Sequence, residues 1–134
     1  MTRRKARTTA LQALYEIDSS RHDAQATLDR LIQEQRLTGD LAEFTSELVR
    51  GVIKNRNRID KTIMKYAPAF PVDQIAVIDR NILRLAIYEI LIDNKVPVKA
   101  AINEAVDLAK SFGSDASPKF VNGVLGSVAS EVTG

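Results

Sequence analysis

The stretch from Ile75 to Asp93, IAVIDRNILRLAIYEILID, constrains the fold more than any other part of the chain. On a helix, Ile75, Ile78, Ile82, Leu85, Ala86 and Ile90 form one broad apolar face, while Leu83, Ile87 and Leu91 cover much of the other side. A surface helix has no use for both, so the spacing predicts a helix enclosed by neighbours. The run is long enough to cross a bilayer, but Asp79, Arg80, Arg84 and Glu89 interrupt it, and charges inside a span are costly. A buried helix outside the membrane is therefore expected. Asp79 and Glu89 fall within the main apolar sector. Either both pair with basic groups on neighbouring helices, or Asp79, at the early end, faces a binding partner.

A chain of 134 residues suits one domain, with an N-terminal half of about residues 1–70 and a C-terminal half of about 71–134 sharing a core. Only 6 Gly and 4 Pro leave room for long helices. With no Cys there are no disulfides, thiolate zinc sites or cysteine nucleophiles. The start, MTRRKAR, is basic, but no apolar signal-peptide run follows, so a cytoplasmic location is expected. The net charge of +2 matters less than its placement. Arg3, Arg4, Lys5 and Arg7 sit together at the start, and Lys54, Arg56, Arg58, Lys61 and Lys65 form a second cluster.

Ala6, Ala10, Ala13, Leu14 and Ile17 predict a first amphipathic helix from about Arg4 to Asp18. On its flank, Arg4, Thr8, Leu11 and Tyr15 align along one stripe, with Arg7 nearby. Guanidinium groups hold phosphates and an aromatic face stacks bases, so this flank suits RNA; the alternative is a solvated terminus with Tyr15 closing the core. Asp23 can cap a second helix carrying Leu28, Leu31 and Ile32, and Asp40 with Glu43 has the capping-box spacing for a third. The KNRNR run leads into a short fourth helix that PAFP, Pro68–Pro71, brings to an end. Asp73 is placed to cap the central helix. Beyond NKVP, residues Val98, Ile102, Ala105, Ala109 and Phe112 predict an inward-facing stripe, with Gly113 as a left-handed stop. Ser117-Pro118 reads as an N-cap and first helical residue, and Phe120 falls beside the inward stripe of the last helix. There it either fills a second pocket or forms an exposed stacking platform.

No sustained two-residue alternation competes with this all-α reading, and no phosphate-loop, dinucleotide, nucleophile-elbow or HExxH motif is present. His22 is the only histidine, so neither a metal nor a cofactor is expected. Glu104, Asp107 and Lys110 look like ordinary surface charge, and no enzymatic constellation emerges.

Three stretches, RRKARTTALQALYEID, DRNILRLAIYEI and AINEAVDLAKSFGSDASPKFVNGVLG, resemble the NusB family of bacterial transcription antitermination factors. The resemblance runs in order over nearly the whole chain. It implies an all-α, seven-helix fold of two subdomains built on three-helix-bundle packing. It also implies binding to single-stranded boxA RNA of nascent ribosomal transcripts together with the ribosomal small-subunit protein NusE, in a complex with other Nus factors on RNA polymerase. By position, Arg3, Arg4, Lys5, Arg7, Tyr15, Lys119 and Phe120 match the family's RNA-facing surface. Asp79 matches its NusE-facing side, with Ile75 and Ile82 as the expected dry centre. Where some members carry an acidic residue two before the Lys-Phe pair, this chain has Ser117 and Pro118 before Lys119, with Asp115 further back. The rival implied identity is the NusB-like N-terminal domain of an RNA cytosine methyltransferase, which needs a further domain with a catalytic Cys. A helical scaffold without RNA is a third reading. Monomer and homodimer fit the sequence equally.

Overall fold

Side-chain caps set the starts of the first two helices in the computed structural model, which describes residues 2–133. Its seven α-helices are α1 (Arg3–Ser19), α2 (Ala24–Glu34), α3 (Gly39–Lys54), α4 (Arg56–Tyr66), α5 (Val77–Ile87), α6 (Val98–Phe112) and α7 (Ser117–Thr133). Thr2 accepts the Lys5 backbone N–H at 3.2 Å, and Asp23 caps α2 by accepting that of Ala26 at 2.8 Å. The expected Asp40–Glu43 box does not form: Thr38 precedes α3, and Gly39 takes a left-handed φ of 54°.

The expected single helix from Ile75 to Asp93 is three pieces. Asp73 lies in a 3₁₀ turn, Val72–Gln74, and does not cap α5. Ile75 and Ala76 are extended, with ψ of 139° and 137°, so Ile75 lies outside the helical register. After Ile87 the backbone widens into a π-helical turn, Tyr88–Asp93, closed by Asn94 in the left-handed region at φ 51°. There the Asn94 N–H donates to the Glu89 carbonyl at 3.0 Å. The Tyr88 ring lies over Gly51 of α3, where a Cβ would come within 2.2 Å of it. Gly113 is also a matter of room. It is extended (φ −92°, ψ −171°), not left-handed as expected, and a Cβ would lie 2.5 Å from that of Ser117. Ser117 Oγ accepts the Ser114 N–H at 2.9 Å, which closes the turn between α6 and α7.

Helices α1, α2 and α3 pack on one another, and α5 lies against α1, α3, α4, α6 and α7. Ile82, Leu83 and Ile87 are wholly enclosed, as a helix apolar on both sides requires. Helix α4 packs on α5 and α7, so the second group of helices begins before Pro68. Among the described residues no helix is long and apolar enough to cross a membrane.

An ionic cluster crosses the junction of the two groups. Asp18, near the end of α1, accepts from Arg80 Nε at 2.7 Å, Arg84 Nη1 at 3.0 Å and Asn81 Nδ2 at 2.9 Å. Arg84 also donates to both carboxylate oxygens of Asp60 in α4, at 2.9 and 3.1 Å. Burial pushes the Asp18 carboxyl up, but hydrogen bonds from Arg80 and Asn81 and the charges of Arg84 and Arg80 outweigh it and hold the group at about 2. A depressed folded value means stability that is whole above the ordinary 3.8 and is lost as the pH falls from there through about 2. Asp18→Asn should therefore lower stability at pH 7 by about 2–3 kcal/mol, because Arg80 loses its anion and Arg84 keeps only Asp60. Urea titrations at several pH values test this: the deficit should shrink toward pH 2, and an equal deficit at every pH would deny the ionic role.

Candidate nucleic-acid and partner interface

The four N-terminal bases, alike in sequence, occupy different environments. Arg3 stacks on the ring of Phe44 from α3, 4.4 Å from its centroid. Arg4 is exposed, and its Nη2 meets Asp107 at 2.8 Å and Glu104 at 3.4 Å on α6. Lys5 is exposed to solvent.

Arg7 is only 6% exposed and clamps Glu89, with Nη2 to Oε1 at 2.8 Å and Nε to Oε2 at 3.0 Å. This corrects the placement of Arg7 among the surface cations. Three residues along α1 from Arg4, it points inward, where a two-point guanidinium–carboxylate pair satisfies a charge that Glu89 would otherwise bury alone. Burial pushes the Arg7 guanidinium down, but the hydrogen bond and charge of Glu89 overcome this and raise it. Glu89 thus takes the internal pairing expected of it.

Asp79 behaves differently. It sits in the first turn of α5, is 9% exposed, and its Oδ1 is buried without a hydrogen-bond partner. Of the two expectations for this residue, internal pairing is the one the structure does not bear out.

Ile75 and Ile82, expected as the dry centre of a partner surface, are corrected to core residues at 6% and 0% exposure. Apolar surface beside Asp79 comes instead from Ile78, Tyr15 and Phe112. The two rings are 41% and 47% exposed, although Phe112 was expected to face inward. With Thr8, Leu11 and Gln12 these three line a groove of about 210 Å³. It continues into an open hollow of about 310 Å³ bounded by Tyr15, Ala76–Asp79, Phe112–Ser114 and Ser117. The Arg4-Thr8-Leu11-Tyr15 stripe therefore runs toward Asp79. The groove's other wall is not foreshadowed in the helical pattern, because Phe112 shares the phase of the inward residues of α6. The available signal is its position as the last residue before the Gly113 stop.

On the far side of α6, Asn103, Val106, Asp107, Lys110, Pro118, Lys119 and Asn122 line an open polar groove between α6 and α7. Lys119 is exposed, whereas Phe120 is partly buried against the core, closer to the pocket-filling expectation than to a free platform. Since Asp107 both holds Arg4 and lines this groove, Arg4 and Lys119 meet on one surface. In the second basic cluster, Arg56 approaches Asp60 at 3.7 Å and Asp18 at 3.9 Å, and Lys65 pairs with Glu131 at 2.8 Å. Lys54, Arg58 and Lys61 are exposed. Among the described residues no group of three or more His, Asp or Glu is arranged to hold a metal ion.

Comparison with known proteins gives one family. The NusB family profile matches residues 4–130. A transcription antitermination protein NusB of Dehalococcoides mccartyi is 52% identical over 127 residues, covering 95% of this chain and 89% of that protein. The protein of the same name from Chloroflexus aggregans is 45% identical, covering 94% and 85%. Among solved structures, T. maritima NusB superposes with a TM-score of 0.92 at 33% identity, covering 98% of this chain and 92% of that one. A chain from a crystal structure of antitermination factors NusB and NusE in complex with dsRNA gives 0.89 at 27% identity, covering 96% of each.

The different environments of Arg4 and Arg7 separate in stability. Arg7→Ala should cost about 3–5 kcal/mol by leaving Glu89 buried and unpaired. Arg4→Ala should change stability by less than ~1 kcal/mol, because its pair is solvent-exposed. Chemical denaturation of both variants reads the difference, and a small loss for Arg7→Ala would return that residue to the surface set.

Proposed function

The chain belongs to the NusB family, and from that membership we propose that it is a transcription antitermination factor, binding RNA jointly with NusE. Its RNA is the single-stranded boxA element of nascent ribosomal transcripts, and the pair joins other Nus factors on RNA polymerase. The work is binding, with no catalytic step. The antitermination name carried by the relatives favours this reading over the N-terminal domain of an RNA methyltransferase.

The observation that carries the partner assignment is the Asp79 carboxylate, buried beside an open apolar groove with its Oδ1 unmatched. Such a group is unfavourable without a donor, and a basic side chain arriving on NusE supplies one. Tyr15, Ile78 and Phe112 then form the dry part of that contact, with Asp79 selecting the partner. RNA takes the adjacent surface, where Arg3, Arg4, Lys5 and Lys119 supply cations. Arg7 contributes by holding α1 in place.

Asp79→Arg should weaken NusE binding by at least ~2 kcal/mol through like-charge repulsion and loss of a pair, with helicity unchanged. Calorimetry beside circular dichroism tests this. Wild-type NusE affinity in the folded variant would move the partner elsewhere, and size measurement of both species shows whether a homodimer competes for the same face. For RNA, affinity should fall with salt by a slope of roughly 0.7 per phosphate contact. Replacing Arg4 and Lys5 together by Ala should flatten that slope by more than about one unit. Titrations with boxA RNA, a scrambled strand and a duplex decide this: an unchanged slope would move the RNA site elsewhere on the protein, and preference for the duplex would sink the single-strand reading.

A further inference from the structure

Arg4 is the one N-terminal base that is both exposed and already engaged with anions. Its side chain is 62% exposed, and its contacts are the carboxylates of Asp107 at 2.8 Å and Glu104 at 3.4 Å, on α6. Those carboxylates are themselves accessible at 45% and 27%, so the pair contributes little to folding. Asp107 also forms part of the polar groove where Lys110 and Lys119 lie.

We propose that Asp107 and Glu104 act as an internal stand-in for RNA phosphate, holding Arg4 in the RNA-free protein and limiting the affinity that this base can deliver. The inference rests on the RNA reading above. A phosphate oxygen approaching Arg4 must replace a carboxylate oxygen of like charge, so the Coulomb gain of the new contact is offset by loss of the old one. Counterion release is reduced as well: a cation leaves the RNA, but another gathers at the freed carboxylates. The device acts on a phosphate contact, which carries no base information, so it lowers binding to every RNA alike.

The experiment is a thermodynamic cycle on the full chain, with Asp107→Asn, Arg4→Ala and the double variant. RNA affinity is read by fluorescence anisotropy on boxA RNA and a scrambled strand across salt concentrations. Asp107→Asn should raise affinity about two- to fivefold at low salt, the range for an exposed ion pair, equally for both RNAs and with a steeper salt slope. Glu104→Gln, at the longer distance, should give a smaller gain. In the Arg4→Ala background the gain from Asp107→Asn should vanish.

A gain that persists without Arg4 would mean that Asp107 acts on the groove as a whole, which overturns the pairing. No gain, with Arg4→Ala still weakening RNA binding, overturns the stand-in and leaves the RNA surface intact. If Arg4→Ala leaves affinity unchanged and Asp107→Asn gives no gain, Arg4 does not touch RNA, and both the stand-in and Arg4's place on the RNA surface fall. Circular dichroism of each variant confirms that differences come from folded protein.

Discussion

Two buried ion pairs of opposite sense tie the first helix to the central one. Near the start of α1, Arg7 grips Glu89 in the π-helical turn beyond α5. Near its end, Asp18 receives Arg80 and Arg84 from α5 itself. The helices thus run antiparallel, with a cation then an anion along α1, and cations then an anion along α5 and its extension. A parallel arrangement would set Arg7 against the two arginines and Asp18 against Glu89. Buried like charges are among the costliest contacts available, so this order of charges excludes the wrong orientation as strongly as it favours the right one. Apolar packing alone cannot make that distinction, because buried aliphatic residues lie on more than one side of α5.

The orientation is what creates the candidate surface. With α1 laid against α5 in this sense, Tyr15 comes beside Ile78 and Asp79, and α6 brings Phe112 to the same groove. Arg4, toward the other end of α1, falls against Glu104 and Asp107 of α6. The ends of α1 therefore serve two neighbouring surfaces, one apolar with a buried acid and one polar with several bases. Their separation follows from the length of α1, about 1.5 Å per residue.

The helices, the enclosed centre and an internal role for Glu89 were legible in the residue order, because period and burial are properties of one segment. The roles of individual charges were not. Arg4 and Arg7 lie three residues apart on one helix, and what distinguishes them is a carboxylate 82 residues away for one and acids 100 and 103 residues away for the other. Ile75 and Ile82 share a helical phase on paper, but the backbone is extended at Ile75 and Ala76, so the stripe is broken before the helix begins. Ile78, between them in sequence, reaches the groove that those two were expected to fill. Asp79 needed only one tertiary fact, that no neighbouring helix supplies its Oδ1 with a donor.

The paired clamps also bear on how α1 moves. A terminal helix in a small domain ordinarily frays first, opening a turn at a time from its free end. Here the first inward charge, Arg7, lies one turn from the start and is held by a residue of the central core, while Asp18 holds the other end. Between the two, α1 cannot peel away from either end without stranding a buried charge, so its middle turns open together with the core. The residues before Arg7 are tied down by more exposed contacts, the Thr2 cap, Arg3 on Phe44 and Arg4 on Glu104 and Asp107. The molecule thus carries its exposed N-terminal cations on a helix that shares the opening free energy of the protein's interior.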